Sequence, residues 1–346
     1  MKKLIRSLAL TAGIAASATA SAQLAGHNVV LVHGFQPHNL FSPPTPEQVI
    51  QNGEAYWADF WNQHAEARID WSSADTLEGG IAISVANQLA EISRSGLCQN
   101  GCVLVTHSTG DLVTRYMLEN QDYWMSAQGL QPVNFIVSID FAGAGGGTEL
   151  ADLAVGLANS DNWLTQAMKD AVEYWLGFTY TTENLGVLNN LQVAAARNTA
   201  TLPSPVPRLR FVGTGDQYYG VTSPFIAGKD DSVVPLASAC GAGSADAIDS
   251  CSNQLAADGA IVSQNGPASL LYNHYPVLMG YKTHHGGTIG AQVDGWMAFV
   301  ANNFVAGIPV NMNTTVDSRW YWMYDYQYVV GSDTRSMSET VYTELN

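Results

Sequence analysis

The sequence of 346 residues predicts an α/β fold, a mostly parallel central sheet with helices on both faces. Two observations carry this. Short Val-, Leu- and Ile-rich runs alternate with amphipathic segments in the order strand, helix, strand, helix, strand, helix, and a crossover through a helix gives parallel pairing. The runs are apolar throughout rather than at every second residue, as expected of strands covered on both sides.

The first strand is the aliphatic run from His27 to Val32, ending in His33-Gly34-Phe35. Pro37, Pro43, Pro44 and Pro46 make residues 36–48 a loop. Glu47 to Ala67, with Tyr56, Trp57, Phe60 and Trp61, reads as a helix, and Ala67 to Trp71 as a second strand. Ile81, Val85, Leu89 and Ile92 stand at helical spacing. From Val103 to Leu112 an apolar run stops at Thr106-His107-Ser108-Thr109-Gly110, and a helix with Leu112, Val113, Tyr116 and Met117 on its apolar side follows. Asn134 to Asp140 is another buried strand. The glycines from Phe141 to Gly147 lack the Gly-Lys-Ser/Thr of a phosphate loop and read as a mobile connector. Residues 148–200 are mainly helical and apolar on more than one face, so they either add a helical layer or cover a pocket. Pro203, Pro205 and Pro207 precede a strand at Arg208 to Val212, and a late strand spans Pro276 to Tyr281. A last helix is expected from about Thr288 to Val305. Beyond Ile308 an aromatic-rich extension, 309–346, alternates like strands and is expected to pack on the domain.

Lys2, Lys3 and Arg6, the apolar run from Leu8 to Ala18 and Ala20-Ser21-Ala22 have the form of a signal peptide over residues 1–22. That run is too short for a bilayer span of ~20 residues, and no later stretch is long and apolar enough. The expectation is a secreted or periplasmic protein without an integral membrane segment. Lys plus Arg number 14 against 30 Asp plus Glu, a net charge of −16. Such a field repels phosphate backbones and excludes nucleic acid as a partner. Four cysteines in an exported chain read as two disulfides; of the three pairings, proximity favours Cys98-Cys102 with Cys240-Cys251. Cys-x3-Cys without nearby histidines is a poor zinc pattern, so no metal or other cofactor is expected.

A sharp turn between strand and helix holds a serine in a strained backbone with its hydroxyl exposed, which makes Ser108 the candidate nucleophile. The plain alternative is a Ser/Thr cap opening a helix. A serine needs a histidine base and an acid to fix the base's tautomer, in the chain order serine, acid, histidine. Asp231, in Gly228-Lys-Asp-Asp-Ser-Val-Val-Pro235, is the candidate acid, with Asp230 beside it. His284 is the favoured base, His285 the alternate and His274 third. His107 is expected to orient the elbow or pack behind it. An oxyanion hole needs two backbone N–H groups, and Phe35 and Thr109 are the candidates.

Together, Val32-His33-Gly34-Phe35, His107-Ser108-Thr109-Gly110, Gly147-Thr148-Glu149-Leu150-Ala151-Asp152, Asp231-Ser232-Val233-Val234-Pro235 and His284-His285-Gly286 resemble the secreted bacterial lipases and carboxylesterases of the α/β-hydrolase superfamily. The resemblance implies an α/β-hydrolase domain over 23–308, with 148–200 as a helical lid or cap. It also implies hydrolysis of lipid or other esters through an acyl-enzyme. Some relatives carry a structural calcium, which the acidic turns here could serve. Thr106 stands where the first glycine of the usual serine box belongs, and Asp111 where a glycine usually follows Gly110. Two rival readings share the fold: an extracellular polyester depolymerase of the polyhydroxyalkanoate type, hinted at by the aromatic tail, and a catalytically silent binding protein.

Overall fold

The computed structural model describes residues 23–57, 60–160, 162–179, 184–201, 204–248, 274–280, 282–299, 310, 312–318 and 325–346. The expected signal peptide over 1–22, Cys251 and the aromatic-rich residues 319–324 lie outside them. Among the described residues ten strands form one sheet: β1 (Gln23–Leu24), β2 (His27–Val32), β3 (Ala67–Ile69), β4 (Cys102–His107), β5 (Phe135–Phe141), β6 (Arg208–Gly213), β7 (His274–Gly280), β8 (Met297–Phe299), β9 (Thr314–Ser318) and β10 (Asp325–Val329). Parallel pairings join β3 to β2, β2 to β4, β4 to β5, β5 to β6 and β6 to β7. β8, β10 and β9 then extend the sheet antiparallel. The longer helices are α1 (Pro46–Trp57), α2 (Ala82–Ser95), α3 (Gly110–Ser126), α4 (Glu149–Ala158), α5 (Gln166–Leu176) and α6 (Met337–Leu345).

Successive strand residues point to opposite faces, and both faces here are dry. Val30, Val32 and Leu104 enter one core with Val85 and Leu89 of α2 and Leu112 and Val113 of α3. Val29, Leu31, Val103 and Val105 enter the other with Trp57, Trp61 and, from α6, Met337 and Val341. Each such side chain, fully buried, stabilises the fold by about 1.5–3 kcal/mol relative to exposure. This double burial explains why β2 and β4 lack polar alternation. α2 ends at Gly96, whose φ of 72° is a left-handed cap. The Cys98–Cys102 disulfide follows. Cys240 is also disulfide-bonded.

Three expectations need correction. The helix expected from Thr288 does not form over the described residues to 299: one 3-10 turn at Gly286–Thr288 gives way to β8. Gly290 and Gly295, the latter at φ 98°, interrupt the segment, and pairing with β7 takes its place. The helix opening near Glu47 does not run on to Ala67: it is described over Pro46–Trp57, and a 3-10 turn at Trp61–Gln63 precedes β3. The glycine-rich run after β5 is not a mobile connector, since Phe141 to Thr148 is buried throughout. A Cβ at Gly143 would sit 1.9 Å from Asp140 Oδ2, and one at Gly145 2.1 Å from Asp111 Oδ2. The glycines let the backbone pass a buried charge cluster.

Candidate active site

The carboxyl ends of β2, β4 and β6 and the loop after β7 open on one cavity of about 360 Å³, bordered by Phe35, Tyr56, Ser108, Thr109, Trp175 and His285 among others. Ligands of parallel sheets bind outside such strand ends.

Ser108 occupies the turn between β4 and α3 with φ 56°, a left-handed conformation costly for a non-glycine residue. The turn is tight because neighbours leave no room: a Cβ at Gly110 would lie 2.3 Å from the Val32 carbonyl, and one at Gly34 2.7 Å from Ser108 Cβ. Thr109 makes no side-chain cap hydrogen bond, which removes the plain capping reading. At the position where glycine is usual, Thr106 donates its hydroxyl to Asp140 Oδ1 at 2.6 Å. Asp140 in turn pairs with Arg210, which also holds Asp111 at 2.8 Å, while Arg208 reaches Asp111 at 3.0 Å. Burial and the neighbouring Asp111 charge push the Asp140 carboxyl up to about 7. Burial would raise Asp111 too, but the three arginines around it hold it below the usual range. The two departures from the usual serine box therefore belong to one buried network beneath the elbow.

The histidine beside the serine is His285. Its Nε2 lies 2.8 Å from Ser108 Oγ and its Nδ1 2.8 Å from Asp231 Oδ2. The other Asp231 oxygen accepts the N–H groups of Val233 and Val234 at 3.0 and 2.8 Å. The choice of His284 is corrected by one position. His284 turns away, its Nε2 2.8 Å from Gln292 Oε1 and its Nδ1 accepting the Gly287 N–H at 3.1 Å. The physical cause is local: the His285 N–H is bonded to the Asp231 carbonyl at 3.0 Å, which seats residue 285 rather than 284 above the acid. His274 opens β7 in register with Arg208, at the strand end opposite the site. Asp230 is spent on its own turn, accepting from Ser223 Oγ and the Ser232 N–H, each at 2.7 Å.

Both oxyanion candidates border the cavity, and among the described residues neither the Phe35 nor the Thr109 N–H has an acceptor in the protein. His33 turns the first of them. Its Nδ1–H donates to the Gly34 carbonyl at 2.8 Å, its Nε2 accepts the Trp71 N–H at 3.1 Å, and its ring stacks on Trp71 with centroids 4.9 Å apart. Because a peptide is planar and trans, fixing the Gly34 carbonyl aims the Phe35 N–H the opposite way. Burial lowers the His33 pKa to about 4, so the ring stays neutral and can accept.

Two residues near Ser108, His285 and Asp231 gave no chemical signal in the sequence. Gln217, just after β6, accepts the Gly286 N–H at 2.8 Å and borders the cavity. Tyr56, read only as part of a helix, places its hydroxyl 2.5 Å from His107 Nδ1. His107, expected to orient the elbow or pack behind it, borders the cavity with Nε2 3.1 Å from the His285 carbonyl. No group of three or more His, Cys, Asp or Glu side chains among the described residues could hold a metal ion. Asp216 and Asp230 each accept hydrogen bonds within their own loops, from Tyr218, Ser232 and Ser223.

No protein-family model matches the sequence, and no curated protein matches it. Solved structures similar to the chain include the mature Bacillus licheniformis lipase BlEst2, 18% identical over 60% of this chain and 76% of that one, with a TM-score of 0.38. The Legionella pneumophila phospholipase PlaB is 17% identical over 62% of this chain and 45% of its own, less than half its length, with a TM-score of 0.39. Lipase 1 from Pelosinus fermentans is 13% identical over 79% and 95%, with a TM-score of 0.43. The parallel strand order, the strained serine turn after β4, and the acid and histidine on later loops are together the architecture of the α/β-hydrolase fold.

Proposed function

We propose that the chain is a serine hydrolase of carboxylic esters. The observation that carries this reading is the unbroken line from Ser108 Oγ through His285 to Asp231, each contact 2.8 Å. Ser108 Oγ attacks the acyl carbon while His285 Nε2 takes its proton, and Asp231 holds the Nδ1–H and stabilises the imidazolium. The oxyanion meets the N–H groups of Phe35 and Thr109, each of which lowers the barrier by roughly 3 kcal/mol. His285 then returns the proton to the leaving alcohol, and a water activated by the same ring resolves the acyl-enzyme.

The cavity favours an apolar acyl group: Phe35, Tyr56, Trp57, Phe60 and Trp175 line much of it. Thr148, Trp175 and Leu191 of the helical segment 148–200 border it, which supports reading that segment as a lid or pocket wall. The signal-like start supports export, and no helix among the described residues is long and apolar enough to cross a membrane. Hydrolysis of short and long p-nitrophenyl esters tests the reading. Ser108→Ala should lower kcat on the order of 10⁶-fold with the fold intact. Undiminished turnover would end it.

A further inference from the structure

We infer that His107 and Tyr56 form a positioning pair that fixes the catalytic histidine to the nucleophile's own strand. The inference rests on the Ser108–His285–Asp231 reading and adds to it. His107 is the last residue of β4, adjacent to Ser108, and is 2% exposed. A carbonyl oxygen only accepts, so the 3.1 Å contact between His107 Nε2 and the His285 carbonyl requires the proton on Nε2. Nδ1 is then bare and accepts the Tyr56 hydroxyl at 2.5 Å. Tyr56 thereby selects the tautomer that can hold His285.

The other bonds to the His285 backbone show why this one matters. Its N–H is tied to the Asp231 carbonyl at 3.0 Å, which fixes it to the acid. Its carbonyl also accepts Thr288 Oγ1 at 2.8 Å, but Thr288 belongs to the same loop and moves with it. Among the described residues only His107 bonds that backbone to β4, and so sets the distance between His285 and Ser108. Burial, with the neighbouring His285, holds the His107 pKa well below its usual value, so the ring stays a neutral donor and acceptor.

The test is steady-state kinetics on a soluble p-nitrophenyl ester, with melting curves to establish folding. His107→Phe keeps the volume and removes both bonds; kcat should fall about ten- to a hundredfold, as for a reacting group displaced by about 1 Å, with KM little changed. His107→Gln, whose Nε2–H can still reach the carbonyl, should restore most of kcat. Tyr56→Phe should lower kcat in the wild type and by a smaller factor in His107→Gln. Should His107→Phe fail to fold, the last two variants decide. Unchanged kcat in His107→Phe, equal losses in His107→Phe and His107→Gln, or equal effects of Tyr56→Phe in both backgrounds would overturn the pair. If those results came with an inactive Ser108→Ala, the serine reading would stand; an active Ser108→Ala would remove that reading itself.

Discussion

At the scale of single residues, the adjacent pair His284 and His285 separates two jobs. His285 contacts both Ser108 and Asp231, whereas His284 ties the loop to Gln292 and Gly287. His285→Ala should lower kcat on the order of 10⁴- to 10⁶-fold, while His284→Ala should leave it within a small factor of wild type. The reverse pattern in ester hydrolysis would refute the placement. Ser108 was marked in the sequence by a turn directly after a recognisable strand, and Asp231 by its place between serine and histidine in the required order; the segment before Asp231 is a 3-10 turn at Ser223–Phe225. Which of two neighbouring histidines faces the serine could not be read. It depends on the Asp231 carbonyl, 54 residues away in sequence from His285.

At the scale of elements, the exit of β2 is held by His33, which spans to Trp71 just beyond β3. Burial depresses the His33 pKa from 6.5 to about 4, so the unfolded chain binds the extra proton over that interval. The stabilising contribution of neutral His33 is therefore complete above about pH 6.5 and is lost as pH falls through about 4. Melting curves of wild type and His33→Gln should differ most above pH 6.5. That difference should shrink by a few degrees toward pH 4. A difference that widened on acidification would contradict the assignment. The glycine run after β5 shows what local sequence cannot carry: its need for small residues comes from Asp111, Asp140 and Arg115 packed against it. The segment from Thr288 shows the same limit, since β8 pairs with β7 where a helix was expected.

At the scale of the whole molecule, the site gathers residues from position 35 to position 285, and the rigidity of the sheet keeps them in register. The strands buried on both faces were legible because continuous apolar runs have few other uses. The antiparallel end was less so: β8 is three residues long, β10 lies between β8 and β9, and residues 319–324, which separate β9 from β10 in sequence, lie outside the described residues. Because the proposed triad comes together only when β4, the turn holding Asp231 and the loop after β7 are assembled, reactivity at Ser108 reports the fold and the chemistry together. The most direct measurement is covalent labelling by a fluorophosphonate, with the adduct located by peptide mass spectrometry. The native protein should carry a single adduct on Ser108, and heat-unfolded protein and His285→Ala should carry almost none. An adduct on another residue, or labelling of Ser108 that survives unfolding, would contradict the account.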